Sequence, residues 1–243
     1  MEEPKGVFTG ETMKAIVLAA AAALALIGGG ALAMQVARDT PDTNVLHPQR
    51  IIIGLDLSLS NPLVDDPAFA ARVGARVAET VRNLDMSSEV HVRTFGSYDP
   101  SSNNFAYDTL ISVRARPEVV AAEVQKLIAS TPRLVASGRW RSQQTTNIVA
   151  FLDNIVRARG CGGMPTTIIL ASDGIEDSAY TKLNRGGHLP EPDRHVFRGC
   201  SALIIYGLGQ GAGSPVLTNR LRSEWENWTR EAGFGSFQGL NDW

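Results

Sequence analysis

Three separate stretches of this 243-residue sequence carry side-chain oxygens that could share one metal ion. The first runs from Asp56 to Ser60 (DLSLS), the second holds Thr145 and Thr146, and the third runs from Ser172 to Gly174 (SDG). Side chains alternate along an extended backbone, so the aspartate and both serines of the first stretch would face one side. Two carboxylates with neutral hydroxyls suit a hard cation such as Mg²⁺, which prefers octahedral oxygen coordination. The residue types therefore predict a divalent cation site.

The two stretches that contain aspartate each follow a predicted buried strand. An apolar run from Ile51 to Leu55 ends at Asp56, and a second run from Thr166 to Ala171 ends just before Ser172. Short uninterrupted apolar runs are typical of parallel strands that are buried on both faces. Open parallel sheets bind ligands at the carboxyl ends of strands, where the strand order reverses. We therefore expect the polar stretches to meet at that edge of the sheet.

The rest of the chain alternates predicted helices and strands. Apolar residues recur at helical spacing after four start signals, which are Asp66-Pro67, Pro117, Asn147 and Ser214-Pro215. Further strands are predicted over Glu89–Phe95, Thr109–Val113 and Ala202–Tyr206, and near Phe237. This alternation implies a doubly wound α/β fold, with a mostly parallel sheet and helices on both faces. Residues 175–198 contain several glycines and prolines and are predicted to form a divergent surface loop.

The same polar stretches resemble the metal ion-dependent adhesion site of the von Willebrand factor A (vWA) family. That site has the pattern Asp-x-Ser-x-Ser, then a threonine, then an aspartate. Here DLSLS, QTTNIVAFL and IILASDG follow one another in that order. The resemblance covers roughly Arg50 to the C-terminus and implies a Rossmann-like vWA fold. Three separated elements in the right strand contexts make the match specific, although DLSLS by itself would be weak.

The resemblance implies a metal-binding role for Asp56, Ser58, Ser60, Thr146 and Asp173. The serines and the threonine would touch Mg²⁺ (or Mn²⁺ or Ca²⁺), and both aspartates would act largely through water. A Glu or Asp of a partner protein would complete the coordination. Thr146, followed by Asn-Ile, fits the family frame better than Thr145, and the choice between the two threonines stays open.

The N-terminal part of the sequence predicts export. Residues 15–34 are uncharged and follow Lys14, and about 20 apolar residues can span a bilayer. Ala31-Leu32-Ala33 is typical of a signal-peptide cleavage site. We therefore divide the chain into an extension (1–12), a signal peptide or transmembrane anchor (13–34), a linker (35–49) and a vWA domain (50–243). The domain would be periplasmic or at the cell surface, either secreted or held by one transmembrane helix.

Charge and cysteine content bear on the partners and the compartment. The net charge of −2 makes no electrostatic case for a nucleic-acid partner, which favours a clustered basic surface. Cys161 and Cys200 precede two predicted neighbouring strands, where a disulfide could form in an oxidising compartment. Two separate buried thiols fit the sequence equally well, so both interpretations stay open.

Other patterns that could carry chemistry are weaker. The stretch from Asp173 to Asp177 (DGIED) is similar to a motif of haloacid dehalogenase-type phosphatases. Those enzymes need a second carboxylate where Ser58 stands, and serine cannot protonate a leaving group at neutral pH. The glycine run from Gly207 to Gly211 comes too late in the chain for a dinucleotide-binding unit. Neither pattern therefore outweighs the metal site.

The predicted function is binding, and the chain is not predicted to be an enzyme. It would be an exported or membrane-anchored vWA domain that binds a protein partner through Mg²⁺. One alternative is a structural assembly module with a vestigial metal site, and another is a haloacid dehalogenase-like phosphatase. Trp140, flanked by Arg139 and Arg141, is either an exposed partner contact or a side chain packed on the edge of its own domain.

Overall fold

A six-stranded sheet forms the centre of the computed structural model, which describes residues 46–97 and 105–241. The strands are β1 (Arg50–Asp56), β2 (Glu89–Phe95), β3 (Ala106–Leu110), β4 (Thr166–Ala171), β5 (Cys200–Tyr206) and β6 (Ser236–Leu240). Their order in the sheet is β3-β2-β1-β4-β5-β6. All neighbours are parallel except β3, which runs antiparallel to β2.

The strand order reverses between β1 and β4, at the centre of the sheet. β1 pairs with β2 on one side and with β4 on the other. Leu55 lies opposite Ala171 in this pairing, so Asp56 and Ser172 leave the sheet side by side. The carboxyl ends of these two strands are therefore where a ligand site is expected in such a fold.

Helices cover both faces of the sheet. They are α1 (Pro67–Arg82), α2 (Pro117–Ala129), α3 (Thr131–Ala136), α4 (Ile148–Arg159), α5 (Arg194–Phe197) and α6 (Pro215–Ala232). The apolar sides of α1 and α2 belong to one hydrophobic core, and those of α4 and α6 belong to a second core on the opposite face. This arrangement confirms the predicted doubly wound α/β fold.

The predicted helix starts are also confirmed. Asp66 precedes α1, and its Oδ1 accepts hydrogen bonds from the N–H groups of Ala68 (2.8 Å) and Phe69 (3.0 Å). Ser214 accepts a hydrogen bond from the Val216 N–H at the start of α6 (3.3 Å). Such side-chain acceptors satisfy N–H groups that have no partner within the first helical turn.

The third strand differs from its prediction over Thr109–Val113. It begins earlier, at Ala106, and pairs antiparallel with β2 so that Leu110 lies opposite Glu89. Val113 lies beyond the strand and is 72% exposed. An edge strand has a neighbour on one side only, and a partly solvated strand has no long apolar run to mark its bounds.

A disulfide joins Cys161 to Cys200, which decides between the two interpretations of the cysteines. Cys200 is the first residue of β5, and Cys161 precedes β4 by a few residues. The bridge therefore lies at the amino ends of the parallel strands. The loop after Asp56 leaves from the opposite, carboxyl ends.

The predicted extension (1–12) and signal peptide or anchor (13–34) lie outside the described residues, as does most of the linker (35–49). Within residues 46–97 and 105–241, no helix is both long and apolar enough to cross a membrane. The predicted loop 175–198 contains a 3-10 turn at Leu183–Arg185 and the four-residue helix α5. A longer crossover helix between β4 and β5 is absent from this fully described stretch.

Candidate metal centre

Three loops meet where β1 and β4 leave the sheet, and backbone hydrogen bonds join them. The loop after β1 pairs with the loop before α4: Leu59 N–H donates to the Gln143 carbonyl (2.9 Å), and Gln143 N–H donates to the Leu57 carbonyl (2.8 Å). The loop before α4 pairs in turn with the loop after β4. Thr146 and Asp177 each donate a backbone N–H to the other's carbonyl, at 3.0 Å. The three predicted polar stretches are therefore held together.

A pocket of about 190 Å³ opens between these loops. Three of the five predicted metal ligands line it, namely Ser58, Ser60 and Thr146. The other lining residues are Leu59, Gln144, Ile175, Asp177 and Asn184. The Ser58 and Ser60 hydroxyl oxygens lie 3.4 Å apart. The structure thus brings Thr146, and not Thr145, to the same pocket as the two serines.

Asp56 is a fully buried carboxylate next to this pocket. Its Oδ1 accepts a hydrogen bond from the Ser58 N–H (2.8 Å), and its Oδ2 accepts one from the Ser172 hydroxyl (2.6 Å). Burial raises the pKa of Asp56 from 3.8 to about 6, although these hydrogen bonds favour the ionised form. The side chain is therefore held in one orientation, at an electrostatic cost.

Asp173 is the second fully buried carboxylate. Its Oδ1 accepts a hydrogen bond from the Ile175 N–H (2.9 Å), whereas its buried Oδ2 has no hydrogen-bond partner among the described residues. Burial, together with the negative charge of Asp56, raises the pKa of Asp173 from 3.8 to about 7. The Ser60 hydroxyl lies close enough to Asp173 to lower this pKa, but it does not form a hydrogen bond to Oδ2.

These residues fit a hard divalent cation. The charge of Asp56 disfavours ionisation of Asp173, so a cation near both would reduce the cost of burying two carboxylates together. The hydroxyls and the unpartnered carboxylate oxygen are the donors that Mg²⁺, Mn²⁺ and Ca²⁺ prefer. No group of three or more His, Cys, Asp or Glu side chains within residues 46–97 and 105–241 is placed to hold a metal. A site here therefore depends on the hydroxyls.

Asn61 supports the site, and the sequence analysis did not identify it. Its side chain is fully buried. The Nδ2 atom donates hydrogen bonds to the carbonyls of Asp56 (2.7 Å) and Ala171 (3.0 Å), the last residues of β1 and β4. One amide group therefore joins the ends of the two strands from which the metal loops begin. The partners are 5 and 110 residues away, so no local pattern indicates this contact.

Glu176 is a third buried carboxylate close to the site. Its Oε2 accepts hydrogen bonds from the N–H groups of Ile148 (2.7 Å) and Val149 (3.1 Å), the first two residues of α4. Burial is the main reason why the pKa of Glu176 is raised. Asn147, predicted as the helix start, makes no side-chain cap hydrogen bond to α4 and instead donates its side-chain amide to the Gly96 carbonyl (2.8 Å). Glu176 therefore satisfies the N-terminus of α4.

Trp140 packs on its own domain, so the alternative of an exposed contact is wrong. The side chain is 9% exposed, and its ring centroid lies 5.3 Å from that of Phe105. Its backbone N–H donates to the Leu134 carbonyl in α3 (3.0 Å). The sequence analysis did not predict α3, which ends a few residues before Trp140.

The glycine run after β5 forms a turn against the loop of Asp173. Gly209 donates its N–H to the Asp173 carbonyl (2.8 Å). Gly207 has a φ of 106°, and a Cβ there would lie 2.6 Å from the ring of Phe69. Glycine is therefore required by backbone conformation and by space, and the run has a structural explanation.

Comparisons with known proteins give distant structural likeness. No protein-family model and no curated protein matches the sequence. Similar solved structures include the pilus adhesin SpaC from Lactobacillus rhamnosus GG in its open conformation, with 12% identity and a TM-score of 0.44 over 82% of this chain and 28% of the adhesin chain. The structure of manganese-loaded Plasmodium vivax TRAP protein is also similar, with 16% identity and a TM-score of 0.40 over 72% of this chain and 62% of the TRAP chain.

The human COPII-coat protein Sec24c is a further similar structure, at 12% identity and a TM-score of 0.36 over 80% of this chain and 30% of the other. This chain thus spans less than two thirds of each of the three chains. Likeness at such identities and scores carries no information on function.

Proposed function

We propose that this chain is a vWA-type binding protein that holds a divalent cation, Mg²⁺ first of all, in the pocket between the three loops. Ser58, Ser60 and Thr146 would contact the cation, and Asp56 and Asp173 would act largely through water. A Glu or Asp of a protein partner would complete the coordination. In this proposal the chain is a binding protein and not an enzyme.

The observation that carries this proposal is the unpartnered Oδ2 of Asp173. It is buried beside a second buried carboxylate, Asp56, and close to the Ser60 hydroxyl, which lines the pocket. An unsatisfied buried polar group costs about 1–3 kcal/mol, and more when the group is charged. A cation with its bound water would supply the missing partner.

The three hydroxyls and the two aspartates have separate tasks in this proposal. Ser58, Ser60 and Thr146 are neutral, so they can face the cation without cancelling its charge. Asp56 and Asp173 are fully buried next to the pocket and supply the compensating negative charge. When bound, the cation would supply an electrophilic position for one external carboxylate.

Export is part of the proposal, and the disulfide supports it. Cys161 and Cys200 are both almost completely buried and are bonded to each other. Disulfides persist in oxidising compartments such as the periplasm or the cell surface, and they are rare in the cytosol. The N-terminal residues 13–34 would direct the chain there, as a cleaved signal or as an anchor.

Calorimetric titration with Mg²⁺ and Mn²⁺ tests the metal site. After EDTA treatment and dialysis, we expect the folded protein to bind one cation. Asp173→Asn should weaken cation affinity by on the order of tenfold or more, because it removes the unpartnered charge. Asp85→Asn is the control, since Asp85 precedes β2 at the amino ends of the parallel strands, away from the pocket, and accepts a hydrogen bond from the His47 N–H.

Other results would favour the alternatives. If the folded wild-type protein shows no heat of binding with Mg²⁺ or Mn²⁺, the chain would be a structural module with a vestigial metal site. Phosphatase turnover that is lost in Asp56→Asn would indicate an enzyme. A pull-down from membrane extracts, with and without chelator, tests the partner, and capture that is insensitive to EDTA would contradict a metal-mediated contact.

A further inference from the structure

Asp177 lies directly beside Thr146, although it is outside the pattern Asp-x-Ser-x-Ser, Thr, Asp. The two residues exchange both backbone hydrogen bonds in an antiparallel bridge. Residues opposed in this way extend their side chains to the same face, with Cβ atoms about 4.5–5.5 Å apart. Both residues line the pocket. The side chains of Asp177 and Thr146 therefore extend on the same face and line the same pocket.

Lys182 lies on the other side of Asp177. The two residues form a second antiparallel bridge, through the Ser178 N–H to Thr181 carbonyl and the Leu183 N–H to Glu176 carbonyl hydrogen bonds. Thr146, Asp177 and Lys182 therefore form a row on one face. The Lys182 ammonium forms an ion pair with Oδ1 of Asp177, and their side chains are 45% and 26% exposed.

We propose that Asp177 is an internal carboxylate ligand for the cation in this pocket, and that Lys182 limits its use. This inference rests on the proposed function, because it concerns the same cation. Asp177 would occupy the coordination position that a partner's Glu or Asp also needs. The ion pair with Lys182 competes with this coordination, so that a partner's carboxylate can displace Asp177 from the cation.

The charges around the pocket give the reason. The proposed direct ligands Ser58, Ser60 and Thr146 are neutral, and Asp177 is the only carboxylate among the residues that line this described pocket. A negative ligand strengthens binding of a hard cation and makes it less electrophilic towards a second carboxylate. The ammonium of Lys182 has the opposite effect, because it competes with the cation for Asp177.

The test uses Mn²⁺ as the probe and two charge variants of the full chain. We expect Asp177→Asn to weaken Mn²⁺ affinity by on the order of tenfold. Lys182→Gln should strengthen it, because the competing ammonium is gone. Asp153→Asn is the matched control, since Asp153 is another partly exposed aspartate (34%, against 26% for Asp177) in an ion pair, here with Arg157 on α4 (2.8 Å). Its Mn²⁺ affinity should equal that of the wild type.

Water-proton relaxation of bound Mn²⁺ then reports the coordination itself. Asp177→Asn should gain about one inner-sphere water relative to Lys182→Gln, and acetate should bind its Mn²⁺ complex more tightly. The wild type and both variants could all bind Mn²⁺ with the same affinity and the same number of inner-sphere waters. That result would overturn the role of Asp177 and leave the metal site intact. Absence of Mn²⁺ binding in the folded wild type would overturn the metal site and this inference together.

Discussion

At the residue scale, the central feature is a pair of aspartates whose burial opposes their ionisation. Asp56 and Asp173 are both fully buried, and both have a raised pKa. A folded state with raised carboxyl pKa values binds more protons than the unfolded state at intermediate pH. The free energy of unfolding of the metal-free protein should therefore fall as pH rises through this range.

The first prediction concerns that pH dependence. In EDTA, the free energy of unfolding should decrease between about pH 4 and pH 7, by at least about 1.4 kcal/mol, the value of one pKa unit. The window follows from the usual value of 3.8 and the raised values of about 6 and about 7 for Asp56 and Asp173. Urea unfolding at pH 5 and pH 7.5 measures it.

The control for this prediction is Asp173→Asn, whose stability should vary less over the same range. The lowered pKa values of Glu89 and Asp108 affect stability only below their usual values, in more acidic solutions. Saturating Mg²⁺ should stabilise the wild type more at pH 7.5 than at pH 5, because protons compete with the cation. A stability that rises from pH 5 to pH 7.5 in EDTA would contradict the prediction.

The second prediction concerns Asn61. Asn61→Ala removes the hydrogen bonds that the Asn61 side chain donates to two buried carbonyls, those of Asp56 and Ala171. The free energy of unfolding should fall by about 2–4 kcal/mol, since each unsatisfied buried group costs about 1–3 kcal/mol. Urea denaturation measures the loss. A change as small as that of Asn83→Ala, at the exposed C-cap of α1, would show that the bridge is unimportant.

At the element scale, helix α4 and the loop after β4 depend on each other. The loop supplies the Glu176 carboxylate to the first two N–H groups of α4, and the bridge between Asp177 and Thr146 joins the backbones. Thr146 lies two residues before α4. The position of a proposed metal ligand is therefore set by how this helix begins.

The third prediction tests that dependence. Glu176→Ala should lower the free energy of unfolding by about 2 kcal/mol, because it leaves two helix N–H groups without an acceptor. Glu176→Gln keeps an acceptor oxygen and should retain most of the stability. Hydrogen exchange measures the local effect, and the amides of Ile148 and Val149 should lose protection in the alanine variant alone. Equal protection in both variants would argue against the cap.

At the scale of the whole molecule, the two ends of the parallel strands have different tasks. The carboxyl ends of β1 and β4 carry the candidate metal centre. The amino ends of β4 and β5 carry the disulfide between Cys161 and Cys200. The sheet separates the two, so the covalent link can stabilise the fold without touching the pocket.

The fourth prediction follows from this separation. Replacing both Cys161 and Cys200 by serine removes the disulfide, which closes a loop of 39 residues. Loop-closure entropy gives a loss of about 4 kcal/mol in the free energy of unfolding. Thermal and urea unfolding measure it. The Mg²⁺ affinity of the variant should match the wild type at temperatures where it is folded, and a coupled loss of metal binding would contradict the separation.

The sequence by itself predicted the oxygen-bearing side chains of the candidate site, and it determined the strands that end beside them and the doubly wound fold. Apolar runs such as Ile51 to Leu55, and start signals such as Asp66-Pro67, act over a few residues and can be recognised locally. The pattern of Asp56, Ser58 and Ser60 is equally local. Each of these features depends on neighbours in the chain.

Only the tertiary structure decided which distant groups meet. The place of Thr146 in the pocket, the contact of Glu176 with a helix 28 residues away, and the disulfide between Cys161 and Cys200 all depend on contacts across the fold. The edge strand β3 was misplaced by sequence for the same reason, since its register is set by its pairing with β2. Hydrogen bonds and burial of this kind form only when the sheet assembles, and no local pattern records them.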